Sequence, residues 1–249
     1  MCRLLGYASR TPHTFSEVVG EDFGAFVELA NEHCDGWGIA ASNAGHTETS
    51  LYKEPIAATK SAHFQEEIDK NEADGALLHL RWATAGMTQD ANNTHPFTHN
   101  GISFIHNGSI SGFEALDAQI DPKYLAAITG TTDSERYFYF LLTQIDKLGM
   151  VEGTKATMNY IKANFSFSSI NAMIMSEDTF LVACVFNPDK IPEAFRVQGN
   201  YYDLRYTKTP DHVLVGSSGW DQEGWEEIPN DTLLVVDRKT MESKLVPVA

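Results

Sequence analysis

The chain begins Met1-Cys2-Arg3-Leu4-Leu5-Gly6-Tyr7, a short apolar run that predicts a strand with a cysteine directly behind the initiator methionine. Removal of Met1 would leave a thiol and a free α-amine on one residue. In model compounds the pKa of the amine is ~7.7–8.0 and that of the thiol is ~8.5, so the amine can act as base for the thiol. Cys2 is therefore a candidate N-terminal nucleophile. A small buried residue at the start of a strand would give the same local pattern.

Composition indicates an ordinary globular chain with an acidic surface. Of 249 residues, 43% are hydrophobic and 21% charged, which is enough for a sizeable core, and we expect one domain over residues 1–249. Lys and Arg number 18 against 34 Asp and Glu, a net charge of −16. This surplus of acidic groups argues against nucleic acid and anionic membranes as partners, because their phosphates would be repelled.

Three cysteines occur, Cys2, Cys34 and Cys184, and this odd, widely spaced set does not resemble a disulfide framework. The first residues lack the charged and apolar regions of a signal peptide. No apolar run approaches the ~18 residues of a membrane span. We therefore expect a reduced, cytoplasmic setting, in which a free thiol persists.

Hydrophobic periodicity predicts strands, a pair of helices, and then more strands. The first strand is expected to end before the polar segment 9–14, and the strongest helical pattern covers residues 134–147. Further strands are predicted at residues 37–42, 49–53, 76–82, 102–106, 172–176, 179–186, 201–206, 212–216 and 232–237, and further helices at residues 23–30, 61–71 and 154–164. This order favours two sheets with helices outside them.

Arg81 stands where a predicted strand runs into an irregular segment, residues 83–100. An arginine there can bind a carboxylate through two parallel hydrogen bonds, although a surface salt bridge is the commoner role. Trp82 and Thr84 follow it, and His95 lies further along the same segment. Loops of this length inside a compact domain are usually functional or disordered.

Asn107 and Gly108 could supply a side-chain amide and a backbone N–H to an oxyanion. The same dipeptide is a common hairpin turn, and we expect a turn there. Asp133 and Ser134 precede the strong helix, so both could cap it. The alternative for Asp133 is an ion pair with a substrate ammonium group.

A metal site has little support in the sequence. The histidines and the aspartate that cluster in one stretch are Asp90, His79, His95, His99 and His106. Their spacing matches no structural zinc site or two-histidine helix motif, and the glycines form no phosphate-binding pattern. We expect no metal and no cofactor.

Six motifs occur in a fixed order and together resemble the class II glutamine amidotransferases. They are Met1-Cys2-Arg3-Leu4-Leu5-Gly6, Asp35-Gly36-Trp37-Gly38-Ile39-Ala40, Arg81-Trp82-Ala83-Thr84, Asn93-Thr94-His95-Pro96, His106-Asn107-Gly108 and Thr132-Asp133-Ser134-Glu135. This family belongs to the N-terminal nucleophile hydrolases, and the resemblance is to its stand-alone, single-domain branch.

The resemblance implies an α+β fold, a four-layer αββα sandwich of two antiparallel sheets between helical layers, with Cys2 at the start of a central strand. It also implies that Cys2 attacks the side-chain amide of glutamine and forms a γ-glutamyl thioester. Asn107 and Gly108 would then form the oxyanion hole, while Arg81 and Asp133 bind the α-carboxylate and the α-ammonium.

The resemblance further implies that Trp82, Thr84 and His95 shape and cover the site. The substrate is expected to be glutamine or another γ-glutamyl small molecule, with a separate synthase or acceptor protein as the possible user of the ammonia. Two alternatives remain at this point. One is a γ-glutamyl amide hydrolase that acts on a thiol compound or peptide, and the other is a non-catalytic regulatory subunit.

Overall fold

The computed structural model describes residues 2–83, 88–191 and 201–249. Two antiparallel sheets form its centre. The strands are β1 Arg3–His13, β2 Gly36–Ser42, β3 Ser50–Glu54, β4 Ala73–Arg81, β5 Phe97–His99, β6 Ile102–Ser111, β7 Ser166–Met175, β8 Thr179–Cys184, β9 Leu204–Lys208, β10 His212–Ser217, β11 Glu226–Glu227, β12 Thr232–Asp237 and β13 Ser243–Pro247. The α-helices are α1 Phe15–Val19, α2 Phe23–Glu28, α3 Phe64–Lys70, α4 Pro122–Leu125, α5 Asp133–Leu148 and α6 Met150–Asn164.

Strand β1, which follows Cys2, is the middle strand of the larger sheet. That sheet has seven strands in the order β11-β9-β10-β1-β4-β2-β3, and the second has six in the order β13-β12-β8-β7-β6-β5. In register, Leu4 lies opposite His79 on one side of β1, and Leu5 lies opposite Gly216 on the other. The predicted placement of Cys2 at the start of a central strand is confirmed.

The alternation of side chains along β1 builds two of the layers. Leu5 and Tyr7 pack outward with Phe15 of the helical layer that holds α1 to α3. Leu4 and Ala8 point the other way, into the core between the two sheets. Each of these four side chains is fully buried, and complete burial of one such leucine stabilises the fold by roughly 1.5–3 kcal/mol.

Helices α5 and α6 cover the outer face of the six-stranded sheet. Tyr137, Phe138 and Leu141 of α5 are fully buried against this sheet, as their spacing predicts. The helix begins after Thr132, whose side chain accepts a hydrogen bond from the Glu135 N–H. Helices, two sheets and helices again make four layers, so the predicted αββα sandwich is confirmed.

Two local predictions were wrong. Strand β1 continues through the polar segment to His13, because Ser9 pairs with His212 and His13 pairs with Ala73 although water covers much of this end. Asn107-Gly108 is not a turn but lies within β6, paired with Asn171 and Ile170 of β7. The hydrophobic pattern also failed to predict the short strands β5 and β11 and the edge strand β13. In the part of the chain that the structure describes, no helix is long and apolar enough to cross a membrane.

Candidate active site

Cys2 meets Asn107 across the space between the two sheets. Cys2 and Leu4 are two positions apart on an extended chain, so both side chains point to the same face. That face is turned to the six-stranded sheet, where Asn107 lies on β6. The backbone nitrogen of Cys2 donates a hydrogen bond to Oδ1 of Asn107 at 2.8 Å. Its Sγ lies 3.8 Å from the carbonyl oxygen of Trp82, and the residue is 8% exposed.

Among the described residues, the side-chain amide of Asn107 is hydrogen-bonded through its oxygen but not through its nitrogen. Because the Cys2 N–H needs an acceptor, the amide oxygen must face it, which leaves Nδ2 as the donor at the other end. This Nδ2 is buried and has no hydrogen-bond partner among the residues that the structure describes. A buried donor without a partner costs about 1–3 kcal/mol, so a ligand that accepts from it gains that amount.

Gly108 is held where only glycine fits. Its φ of +151° is one that other residues rarely adopt, and a Cβ added there would lie 1.9 Å from the backbone oxygen of Ser169. The β6–β7 register shifts between Gly108 and Ile110, so the strand is irregular beside Asn107. Bulges of this kind often turn a side chain or backbone group toward a site.

Asp133 is brought to this bulge by hydrogen bonds. Its Oδ2 accepts from the Ile110 N–H at 2.8 Å and its Oδ1 from the Ser134 N–H at 2.8 Å. The residue is 7% exposed. The structure therefore places the carboxylate of Asp133 against the chain segment that follows Asn107 and Gly108. The predicted capping role of Asp133 and Ser134 was wrong, because the side chain of Thr132 caps the helix.

His106 joins β6 to α5 and β7 next to Asn107. Nδ1 lies 2.9 Å from Ser134 Oγ, and Nε2 lies 3.2 Å from the Ser169 carbonyl oxygen. Burial lowers the pKa of this imidazole, and the Asp133 charge opposes that effect. The His106 side chain thus links α5 and β7 through its two ring nitrogens. Periodicity alone could not predict this role.

Arg81 is buried, and no acidic side chain of the described residues pairs with it. It is 3% exposed, and its Nη1 and Nη2 donate to the carbonyl oxygens of Asp35 at 3.4 Å and Thr88 at 3.3 Å. No carboxylate lies within 4.0 Å of its nitrogens in residues 2–83, 88–191 and 201–249. Arg238, equally buried, makes an ion pair with Asp74 at 2.5 Å. A buried cation needs an anion, and for Arg81 the described chain does not supply one.

Arg3 is a second buried arginine, but it faces away from Cys2. Its Nε donates to His33 Nε2 at 3.1 Å, and its guanidinium lies 4.4 Å from the centre of the Tyr201 ring. Burial lowers its pKa. Arg3 and Leu5 point to the same outer face of the sheet, because they are two positions apart on β1. The sheet therefore separates Arg3 from Arg81, and of the two only Arg81 lies on the face of Cys2.

A network that the sequence analysis did not assign links the Arg81 and Asp133 segments. Asn93, 1% exposed, accepts from the Thr131 N–H at 2.8 Å and donates to the Thr88 side chain at 2.9 Å. Glu135 accepts from the Gly130 N–H at 2.7 Å. Asn93 and Glu135 lie inside two of the six motifs, and that position was the sequence signal that could have identified them.

Trp82 and His95 occupy different surroundings, and Thr84 lies outside the described residues. Trp82 is 36% exposed, and its ring meets His33 edge-on at 5.6 Å. His95 is packed in the interior with its ring 4.2 Å from that of His79. Neither ring nitrogen of His95 has a hydrogen-bond partner among described residues. No group of three or more His, Cys, Asp or Glu side chains in the described chain could hold a metal ion.

The buried pair His79 and His95 makes stability depend on pH. Burial holds the pKa of both imidazoles well below the usual 6.5, so the folded protein keeps them neutral. The unfolded chain takes up protons below pH ~6.5, so stability is full above that pH and is lost as pH falls. Each histidine contributes a slope of about 1.4 kcal/mol per pH unit. His95→Phe should remove one such slope in denaturant unfolding measured between pH 7.5 and 5.5.

The matched control for this prediction is His46→Gln, because His46 is exposed. It is expected to leave the pH dependence of unfolding unchanged. An unchanged slope in His95→Phe would mean that His95 is not buried and neutral in the folded protein.

Comparison with known proteins gives the family. The model of the class II glutamine amidotransferases matches residues 1–186, well over half of the chain, and this chain therefore belongs to that family. It is 23% identical to the probable glutamine amidotransferase DUG3 of Saccharomyces cerevisiae, over 97% of this chain and 83% of the relative. It is 25% identical to the glutamine–fructose-6-phosphate aminotransferase of Bartonella quintana, over 76% of this chain and 29% of that enzyme.

Solved structures share the fold. A glutamine aminotransferase class II domain protein from Silicibacter pomeroyi superposes with a TM-score of 0.69 at 18% identity, covering 99% of both chains. The glutamine phosphoribosylpyrophosphate amidotransferase of Bacillus subtilis gives a TM-score of 0.64 at 17% identity, covering all of this chain and 49% of that one. The chain thus shares the fold of these two proteins.

Proposed function

We propose that this chain hydrolyses the γ-amide of glutamine through a thioester on Cys2. The observation that carries the proposal is the contact between Cys2 and Asn107: the amide oxygen holds the Cys2 nitrogen at 2.8 Å, and the amide nitrogen is buried without a partner in the described chain. One side chain thus positions the base and offers a donor to the oxyanion. Family membership supports this reading.

Removal of Met1 turns the Cys2 nitrogen into an α-amine at the end of β1. The amine takes the thiol proton, and the sulfur attacks the γ-carbonyl carbon of the substrate. The carbonyl oxygen becomes an oxyanion, which accepts hydrogen bonds from Asn107 Nδ2 and from the Gly108 N–H. Such donors are worth about 10²–10³ in rate.

Collapse of this intermediate breaks the carbon–nitrogen bond and forms the thioester. The protonated α-amine of Cys2 returns its proton to the leaving nitrogen, which departs as ammonia. Water, deprotonated by the same amine, then attacks the thioester and releases glutamate, which restores the thiol. The reaction needs Cys2 as a free thiol, and the structure has Cys2, Cys34 and Cys184 unbridged.

A substrate with both charges on its α-carbon needs one cation and one anion. Arg81 supplies a buried cation without an acidic partner in the described chain. Asp133 supplies a carboxylate beside β6, the strand that carries Asn107 and Gly108. Both charges belong to the glutamyl group, so the pair would also bind a γ-glutamyl peptide. We assign Trp82, Thr84 and His95 to the walls around this group.

The test is intact mass after exposure of the purified protein to a glutamine analogue with an electrophilic group at the γ-position. We expect one adduct, located on Cys2 of a chain that lacks Met1, together with release of glutamate from glutamine in the untreated protein. The control reagent carries the same electrophile but no α-carboxylate and should label far more slowly.

Two results would contradict the proposal. One is labelling on Cys34 or Cys184 in place of Cys2. The other is failure to release glutamate both from glutamine and from γ-glutamyl peptides. Turnover of the peptides alone would retain the thioester chemistry and would make a γ-glutamyl peptide, rather than glutamine, the substrate.

A further inference from the structure

Asp35 holds the backbone of Arg81 from the neighbouring strand. Gly36, the first residue of β2, lies opposite Arg81 at the end of β4. The Asp35 N–H donates to the Arg81 carbonyl oxygen at 3.0 Å, and the Asp35 carbonyl oxygen accepts from Arg81 Nη1 at 3.4 Å. One residue therefore fixes both the main chain and the side chain of this arginine.

The carboxylate of Asp35 fastens the chain on both sides of the segment that follows. Its Oδ2 accepts from the Ala83 N–H at 2.8 Å, and its Oδ1 accepts from the side-chain amide of Gln89. Gln89 follows Thr88, whose carbonyl oxygen accepts from Arg81 Nη2 at 3.3 Å. Both carbonyl groups that aim the guanidinium thus depend on Asp35, one directly and one through Gln89.

Asp35 does this without neutralising Arg81. Among the described residues, the Asp35 carboxylate makes no ion pair with the guanidinium within 4.0 Å, since its oxygens are turned to Ala83 and Gln89. An acid paired with Arg81 would compete with a substrate carboxylate for the same N–H groups. Main-chain carbonyl oxygens can orient the cation and still leave its charge for a ligand.

We infer that Asp35 is the positioning residue of the α-carboxylate subsite, and this inference rests on the proposed role of Arg81. Asp35 does not touch the substrate. It acts through the direction of the guanidinium, so its replacement should weaken binding of the carboxylate rather than slow the chemistry at Cys2.

A double-mutant cycle of Asp35→Asn and Arg81→Ala tests this, with kcat and KM measured for glutamine. Asp35→Asn retains the size of the side chain and one acceptor but loses the charge. We expect it to raise KM about tenfold with kcat changed less than about twofold. Arg81→Ala should raise KM about 100-fold, and the double variant should be no worse than Arg81→Ala, because Asp35 acts only through Arg81.

A second substrate separates positioning from general damage to the fold. For the α-amide of glutamine, which lacks the carboxylate, Asp35→Asn and the unaltered protein should have the same KM. The matched control is Glu32→Gln, an exposed acid three residues away, which removes the same charge and should leave both constants unchanged.

The outcomes are distinguishable. If Asp35→Asn multiplies the Arg81→Ala defect by its full factor, or impairs both substrates equally, the inference about Asp35 is overturned and the proposed function stands. If Arg81→Ala leaves the KM for glutamine unchanged, the carboxylate assignment of Arg81 itself fails, and the inference fails with it.

Discussion

Cys2→Ser is expected to lower glutamate release by at least about 10³-fold, the largest effect of any single substitution in this chain. A hydroxyl is nearly isosteric with the thiol but far less acidic, so the α-amine can no longer generate a good nucleophile. The Cys2 backbone contact to Asn107 at 2.8 Å does not involve the side chain and should persist. The measurement is the initial rate of glutamate formation at saturating glutamine.

The matched control is Cys34→Ser, since Cys34 is the exposed cysteine. It should retain full activity. Cys184 is less suitable because burial raises the pKa of its thiol to about 12, and serine there would bury a hydroxyl. Retention of activity in Cys2→Ser would remove the Cys2 thiol from the mechanism.

Asn107→Asp is expected to lower kcat by about 10²–10³-fold while changing KM little. Aspartate keeps an oxygen for the Cys2 nitrogen but replaces the unpartnered Nδ2 with a second oxygen, which repels the developing oxyanion. The effect therefore lies in the transition state and should lower kcat and kcat/KM together. Steady-state kinetics with glutamine, corrected for active sites by the electrophilic analogue, measure it.

Asn171 is the natural comparison for this second prediction. It lies opposite Asn107 on β7 and is equally buried, but its Nδ2 donates to the Tyr202 carbonyl oxygen at 2.6 Å and its Oδ1 accepts from the Val185 N–H at 2.7 Å. Asn171→Asp should therefore lower the unfolding midpoint, whereas Asn107→Asp should lower kcat with a smaller change in that midpoint. The reverse pattern would assign the structural role to Asn107.

The fold was predictable because its layers follow from short-range patterns and from six motifs in order. The apolar run that begins β1 and the apolar face of α5 appear directly in the sequence. The polar end of β1 does not, since this end is held by the pairing of Ser9 with His212 and of His13 with Ala73 and not by an apolar pattern. The turn predicted at Asn107-Gly108 was wrong because pairing with β7, a tertiary contact, overrides the local preference of this dipeptide for a turn.

The sequence singles out the residues of the candidate site but does not predict the contacts between them. Cys2 and Asn107 are separated by 105 positions, and only the packing of the two sheets brings them together. Arg81 could be singled out by its position at a strand end, whereas the part played by Asp35 depends on the register of β2 against β4. Register is a tertiary property, so hydrogen bonds that cross it cannot be deduced from one sequence.

The close approach at Gly108 has a consequence for suppressor genetics. The atom that any added Cβ would strike is a main-chain oxygen, that of Ser169, and the same oxygen is present whatever residue occupies position 169. No exchange of one side chain for another on β7 can therefore rescue a variant at position 108. Compensation would require an insertion or deletion that re-registers the two strands, which would also displace the amide of Asn107 from Cys2.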